Sequence, residues 1–235
     1  MRPPLTNATP SFRGLGYGPT MTEHDDELRA LGRASAELAH ELRNVLATIG
    51  TSAHAASRTP ADAARFLARI VRHAELGQRL VEDVMALARP LGGLETETQA
   101  TTAVLDAARS TLGAGARFDD RIETATLAVH PALFPRLLHA LYANAIAVSN
   151  RPEGACIVTR VFQDDGSVCL DVEDDGPGIP EALRPTLFEA FATGREGGVG
   201  LGLALARRIA EAHGGRLTLR DDTASTTFRI ALPSR

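Results

Sequence analysis

Two long helical stretches near the N-terminus place the strongest constraint on the fold. The first begins at Thr22, a suitable N-cap with acidic residues in the following turn, and continues to about Ser57. The second begins at Ala61 and ends before Pro90. Because only a short break separates the two stretches, residues 22–90 are predicted to form a helical hairpin.

An apolar stripe follows the first stretch at alternating spacings of three and four residues, which is typical of a coiled-coil seam with one polar position. The second stretch carries a matching stripe. One hairpin cannot cover both stripes, so we predict that two copies pair into a four-helix bundle and that the protein is a homodimer. The stripe positions are Leu28, Leu31, Ser35, Leu38, Leu42, Val45 and Ile49 in the first stretch and Leu67, Ile70, Ala74, Val81 and Val84 in the second.

His40 falls on the face of the first helix that lies opposite the seam. Asn44 is one turn further along that face, and Glu41 is adjacent in sequence. We therefore expect His40 to be exposed and available for chemistry. A surface His beside a Glu is usually only a solvated part of a helix, so the helix alone assigns no function to it.

The remaining segments differ in character from the hairpin. Residues 1–21 are crowded with Pro, Gly, Ser and Thr and are predicted to be a flexible tail. After a polar linker at 91–99, helical and strand-like segments mix through residues 100–235. The predicted fold is therefore α+β, with the hairpin followed by an α/β sandwich that has helices on one face of a mixed sheet. Helices are expected at about 101–112, 130–149 and 201–213, and strands at about 125–129, 155–162, 167–173, 216–220 and 226–232.

Composition excludes some classes of function. With 25 Lys+Arg against 29 Asp+Glu, the chain has no basic excess for nucleic acid. It has no run of about 18 apolar residues, and its N-terminal segment lacks the apolar core of a secretion signal, so we expect a cytoplasmic protein without membrane insertion. Cys156 and Cys169 fit neither a zinc site nor a disulfide framework, and we interpret them as reduced core residues.

Two glycine-rich segments are candidates for a ligand site. Asp174 opens the segment DDGPGIP directly after a predicted strand, where glycines allow a tight turn beside a ligand. The segment GGVGLGL at 197–203 leads into a helix, whose first backbone N–H groups can hold phosphates. Asn144 lies on an earlier helix among apolar residues, where its amide needs a partner. Taken singly, none of these features establishes a ligand site. The first segment is compatible with a plain turn, the second with an ordinary glycine-rich loop, and Asn144 with a core hydrogen bond.

The order of the whole set is more informative. An Asn on a helix is followed by DDGPGIP, LFEAF, GGVGLGLA and TTFRIALP. This order resembles the ATP-binding domain shared by histidine kinases, DNA gyrase, mismatch-repair ATPases and heat-shock chaperones, over about residues 101–235. The upstream segment LRALGRASAELAHELRNVLATIG resembles the dimerisation and phosphoacceptor helix of sensor histidine kinases, in which an acid directly follows a His. Together the two matches identify the chain as similar to sensor histidine kinases of two-component systems.

This resemblance implies roles for the matching positions in ATP binding. Asp174 would accept a hydrogen bond from the adenine amino group, and Asn144 would coordinate Mg²⁺ that bridges the phosphates. Phe188 and Phe191 would anchor the nucleotide lid, although core packing explains them equally well, and Thr226 would line the adenine side. The matching glycines would shape the adenine pocket, at Gly176 and Gly178, and form the end of the lid, at Gly198, Gly200 and Gly202.

The resemblance also implies the chemistry of the first helix. His40 would be the phosphoacceptor, and Glu41 would orient its ring and accept its proton as general base. A neutral imidazole nitrogen is a good nucleophile near physiological pH, and in-line attack on the γ-phosphorus needs mainly positioning and Mg²⁺. The phosphate would then pass to an Asp of a response-regulator receiver domain. Asn44 matches a position that places water for dephosphorylation of that partner, which makes phosphatase activity a secondary hypothesis.

The sequence also departs from the family pattern. Val45 stands where a Pro is common, Ala140 where a second Asn is common, and Ala147 where a basic residue is frequent. Arg195, in the short lid, is a candidate replacement for the missing positive charge, although a solvated Arg is the simpler interpretation. These differences predict a straighter acceptor helix and weaker contacts to metal and phosphates.

Three rival functions are compatible with parts of the pattern. ATP hydrolysis of the gyrase type is disfavoured because its members carry a Glu at the position of Ala140. An anti-sigma serine kinase is disfavoured because such proteins usually consist of the nucleotide domain alone. A degenerate kinase that acts as a phosphotransfer or scaffold dimer stays open because of Ala140, although the near-complete glycine motifs argue against decay.

Overall fold

The structure is a computed structural model that describes residues 21–88, 91, 93–113, 115–194, 199–220 and 225–234. Within the first helix, side chains are described at residue 36 and from residue 38 onward. Residues 1–20 of the predicted tail, together with Arg195 and Gly198, lie outside the described residues. By its internal contacts the chain divides into two units, Met1–Ala39 and His40–Arg235.

Two long helices form the N-terminal part of the chain. Helix α1 is Met21–Arg58 and helix α2 is Ala63–Ala88, and a short 3-10 turn at Pro60–Asp62 joins them. Proline suits the first position of this turn because its missing N–H would have no partner there. Within the second unit the helices are in close contact, since a Cβ added to Gly77 would lie 3.2 Å from Cγ1 of Val45.

Apolar side chains of the two helices form a packed stripe and an exposed one. Val45 is 4% exposed and Leu80 is 2% exposed, so these residues fill the space between the helices. The predicted stripe on the second helix combines both kinds of position, because Ile70 is half-buried whereas Ala74 is exposed. A second apolar stripe faces outward and consists of Leu46, Leu67, Val71, Val81 and Met85.

The C-terminal part contains a five-stranded mixed sheet with strand order β2-β4-β5-β7-β6 and a two-stranded sheet of β1 and β3. Strand β2 is parallel to β4, and all other pairs are antiparallel. The strands are β1 Glu97–Ala100, β2 Ala116–Ile122, β3 Thr126–Val129, β4 Ala155–Asp164, β5 Ser167–Asp174, β6 Arg216–Arg220 and β7 Thr226–Pro233.

Three helices cover one face of the larger sheet, as predicted. They are α3 Thr101–Arg109, α4 Leu133–Val148 and α5 Gly202–Ala212. Their apolar faces meet alternate residues of the strands in one core, which includes Leu141 of α4 and Leu170 of β5. A fully buried side chain of this size contributes about 1.5–3 kcal/mol. This core fixes α4 against β5 and so sets the positions of the residues at the ends of both elements.

The structure adds two strands that the sequence pattern did not predict. Strand β1 includes residues 97–99 of the predicted linker and pairs with β3. Strand β2 lies at the edge of the larger sheet and carries charged residues on both faces. One of them, Asp120, accepts two hydrogen bonds from Arg109, at 2.7 Å and 2.5 Å.

Candidate nucleotide-binding site

Asp174 lies at the end of β5 and points into the space between the sheet and α4. It is only 4% exposed. The side chain belongs to the inner face because it continues the alternation of Leu170 and Val172 along the strand. A buried carboxylate is costly unless it is hydrogen-bonded, so its partners are informative.

Two hydrogen bonds hold the Asp174 carboxylate. The backbone N–H of Gly176 donates to Oδ1 at 2.9 Å. The hydroxyl of Thr226 also donates to the carboxylate, since Thr226 lies directly opposite Asp174 in the register of β5 and β7. Burial nevertheless raises the pKa of Asp174 above its usual value, and the carboxylates of Asp175 and Glu173 add to this effect, whereas the two hydrogen bonds lower the pKa. Burial therefore outweighs these hydrogen bonds in setting the pKa of Asp174.

The loop after β5 needs glycine at two positions for different reasons. A Cβ on Gly176 would lie 2.7 Å from Oδ1 of Asp174 and 2.8 Å from Cγ2 of Val148, so a larger residue would force these side chains or the loop to shift. Gly178 has open space around it but a φ of +88°, which L side chains rarely adopt. The first glycine is required by contact with α4 and the second by the turn.

Asn144 lies near the end of α4 and is half-buried. Within the described part of the chain its amide makes no hydrogen bond. A partly buried amide without a partner is suited to a ligand or a metal-bound phosphate. Among the described residues, no group of three or more His, Cys, Asp and Glu side chains could hold a metal ion.

Helix α5 begins beside α4 at the position where the sequence departs from the family. A Cβ on Gly202, the first residue of α5, would lie 3.7 Å from Cβ of Ala140. Ala140 is one turn before Asn144 on the same face of α4. The start of α5, whose backbone N–H groups favour anions, is therefore close to a small side chain where a polar one is common in the family.

Backbone contacts join the residues on either side of the predicted lid segment, 193–197. The N–H of Phe191 donates to the carbonyl of Gly200 at 2.9 Å, and a Cβ on Gly200 would lie 2.6 Å from the carbonyl oxygen of Ala192. Phe188 packs edge-on against Phe228 of the core, with ring centroids 6.2 Å apart. Anchoring of the lid by the two phenylalanines stays a prediction, and Gly198 is outside the described residues.

The other predicted residues, His40, Glu41 and Asn44, lie on α1. His40 and Asn44 are exposed and Glu41 is half-buried, which confirms the predicted exposure of His40. Within the described part of the chain, neither ring nitrogen of His40 has a hydrogen-bond partner. Adjacent helix residues do not face each other, so the structure does not join His40 to Glu41.

The sequence analysis missed two residues next to the site. They are Asp175, which follows Asp174, and Arg151. Oδ2 of Asp175 accepts a hydrogen bond from the N–H of Cys156 at 3.0 Å and forms an ion pair with Nε of Arg151 at 2.7 Å. The sequence shows the two adjacent acids. It does not show that Arg151, in the turn between α4 and β4, pairs with Asp175, because that contact depends on the register of β4 and β5.

Comparisons with known proteins agree with this arrangement. Residues 30–93 match the His Kinase A (phospho-acceptor) domain, and residues 131–235 match the histidine kinase-, DNA gyrase B-, and HSP90-like ATPase domain. The first match contains His40, and the second contains all the pocket residues named above. In the described part of the chain, no helix is both long and apolar enough to cross a membrane.

Two curated relatives illustrate the similarity. The probable sensor histidine kinase TcrY of Mycobacterium tuberculosis is 32% identical over 84% of this chain and 45% of its own length. The sensory histidine kinase/phosphatase NtrB of Klebsiella oxytoca is 47% identical over 28% of this chain and 19% of its own length. The chain thus spans less than half the length of these curated relatives.

A solved structure supports the fold. Histidine kinase ThkA in complex with response regulator protein TrrA superposes with a TM-score of 0.72 at 20% identity, covering 91% of this chain and 65% of that one. At this identity the superposition shows the fold alone. Because both family domains match in succession along the chain and curated sensor histidine kinases are similar to it, the chain belongs to the sensor histidine kinases of two-component systems.

Proposed function

We propose that this chain binds Mg-ATP between α4, α5 and the loop after β5 and transfers the γ-phosphoryl group to His40. The observation that carries the proposal is Asp174, a buried carboxylate at the pocket whose hydrogen bonds do not offset its burial. An adenine amino group would supply the missing donor. Asn144 would hold the phosphates through Mg²⁺, which neutralises their charge when bound.

The His40 imidazole would attack in line, forming an N–P bond as the bond to the ADP oxygen breaks. Glu41 would orient the ring by accepting a hydrogen bond from its other nitrogen. Because the two side chains do not face each other in the structure, this contact would form only when the nucleotide domain approaches the helix.

We further propose that His40 passes its phosphate to an Asp of a response-regulator receiver domain. Exposure of His40 on α1 gives the incoming carboxylate access to the phosphorus. Asn44, exposed one turn further along, would position water for the reverse, phosphatase function. Cytoplasmic location stays a prediction.

The outward apolar stripe supports the proposed homodimer. Leu67 and Val81 are two heptads apart, as are Val71 and Met85, and all four are exposed by 45% to 55%. A second copy would bury them in a four-helix bundle. A Val71→Glu variant is expected to be monomeric by light scattering, while Arg72→Glu, on the neighbouring exposed position, should stay dimeric.

The deciding experiment measures label transfer from γ-labelled Mg-ATP to the full chain. Wild-type protein should gain acid-labile, alkali-stable label, and His40→Ala should gain none. His54→Ala is the matched control, since His54 is also exposed on α1. Equal labelling of wild type and His40→Ala would disprove the assignment of His40.

The second candidate function is a scaffold or phosphotransfer dimer that no longer phosphorylates itself. The observation that favours it is the small side chain of Ala140 beside the start of α5. Wild-type protein that binds ATP but gains no label, while accepting phosphate from a phosphorylated receiver domain, would support this function instead.

A further inference from the structure

The loop after β5 is held from its outer side by a second carboxylate. The register of β4 and β5 ends with Ile157 opposite Asp174. Beyond this pair the Asp175 side chain replaces a backbone carbonyl, accepting the N–H of Cys156 at 3.0 Å. The peptide that leads into Gly176 is thereby fixed to the start of β4, and with it the N–H that Gly176 donates to Asp174.

Arg151 provides the charge partner of this carboxylate. Its Nε lies 2.7 Å from Oδ2 of Asp175, whose side chain is 14% exposed. In the described part of the chain, Oδ1 of Asp175 is buried without a hydrogen-bond partner. The hydrogen bond and the ion pair of this carboxylate therefore both go through one oxygen, and loss of Arg151 would leave a largely buried charge poorly compensated.

The uncompensated charge would act on the adenine-binding carboxylate next to it. Asp175 and Glu173 both raise the pKa of Asp174, whereas the neutral side chain of Thr226 on β7 lowers it. In the described part of the chain, Asp175 pairs with Arg151, which also lies near Glu153 in the same turn, and Arg117 of β2 interacts electrostatically with Asp175 and Glu153.

We propose that Arg151 and Asp175 are positioning residues for the nucleotide: their ion pair fixes the loop after β5 and offsets the second negative charge beside Asp174, so that Asp174 alone accepts the adenine amino group. This inference rests on the proposed ATP site and assigns a role to the turn between α4 and β4. Neither residue touches the reacting phosphate.

The test uses the full chain and two measurements. Calorimetry gives the affinity for Mg-ATP at pH 7, and carbon NMR of the nucleotide-free protein follows the titration of the Asp174 carboxyl, with Asp174→Asn identifying its signal. The variants are Arg151→Ala, Arg151→Lys and Asp175→Asn. Arg121→Ala is the control, because Arg121 on β2 is 55% exposed, close to the 48% of Arg151, and forms a 2.8 Å ion pair with Asp119.

Arg151→Ala and Asp175→Asn should each weaken ATP binding by about three- to tenfold. The two substitutions should move the midpoint of the Asp174 titration in opposite directions, upward for Arg151→Ala and downward for Asp175→Asn, by about 0.3 to 0.7 of a pH unit. Arg151→Lys should restore most of the affinity, and the control should change neither quantity.

Weaker binding with an unmoved midpoint, or with both midpoints moved in the same direction, would show that the pair only supports the loop and would overturn the proposal. Unchanged affinity in both variants would overturn it too. Wild-type protein that fails to bind ATP at all would instead refute the nucleotide site itself, whichever way the midpoints move.

Discussion

Replacing Asp174 with Asn should make the protein more stable and weaken its affinity for ATP. The carboxylate is 4% exposed, and burial raises its pKa from the usual 3.8. A folded state that holds the proton more tightly than the unfolded state is favoured at low pH. The stability of the folded state falls as the pH rises from 3.8 to the raised pKa. At pH 7 the folded state therefore bears the whole free-energy cost of burying the ionised carboxylate.

Asn removes this cost while keeping an oxygen for the N–H of Gly176 and the hydroxyl of Thr226. The free energy of unfolding at pH 7 should therefore increase by an amount on the order of 1 kcal/mol, or a few degrees in Tm. The amide nitrogen would face the adenine amino group, so a donor meets a donor. Since a hydrogen bond to a charged group contributes about 1.5–3 kcal/mol, the Kd for ATP should rise by about 10- to 150-fold.

Thermal unfolding at pH 7 and pH 3 tests the first part, and calorimetry with Mg-ATP tests the second. At pH 3 the stabilisation should disappear, because the wild-type carboxyl is then protonated. A variant that unfolds earlier than wild type at pH 7 would show that the ionised Asp174 supports the fold. A variant that retains wild-type affinity would remove Asp174 from the adenine site.

Three other substitutions test different parts of the structure. Gly176→Ala should lower the free energy of unfolding, measured with denaturant, by about 1–3 kcal/mol, because its Cβ would lie 2.8 Å from Cγ2 of Val148. The variant should also bind ATP more weakly. Unchanged stability would mean that the loop can move away from α4. Arg229→Met should lower the free energy of unfolding by about 3 kcal/mol, because the Asp171 side chain, which is 6% exposed, would lose two 2.7 Å hydrogen bonds. The folded variant should still bind ATP normally. Ala140→Asn should speed the labelling of His40 by placing an amide at the start of α5, and an equal or slower rate would indicate that the phosphates do not extend to that position.

Much of the fold follows from periodicity in the sequence. Helices α4 and α5 were predicted within a few residues, because each has a sustained apolar face and a definite end. Strand β2 was missed because it is an edge strand in which Asp120 occupies an inward-facing position. Its charge is matched by Arg109 of α3, and no local pattern shows that such a partner exists.

The same limit applies to the site. Order and spacing of motifs identified Asp174, Asn144 and the glycines, because each is a property of one short segment. The contact of Thr226 with Asp174 depends on strand register, and the contact of Arg151 with Asp175 depends on where the turn before β4 is placed. Pairings across elements become visible only when the sheet is assembled.

The glycine motifs are weaker support for an active site than the sequence suggests. Gly176 and Gly200 would be needed by the fold even if no nucleotide were bound, since a Cβ at either position would collide with neighbouring atoms. Gly202 is different, because an added Cβ would make only ordinary contact with Ala140. Asp174 is the more telling residue, since its burial opposes folding and an Asn could serve the same internal hydrogen bonds. A carboxylate that costs stability where a neutral amide would fit is explained by a ligand that needs an acceptor there, and this favours a nucleotide-binding kinase over a decayed scaffold.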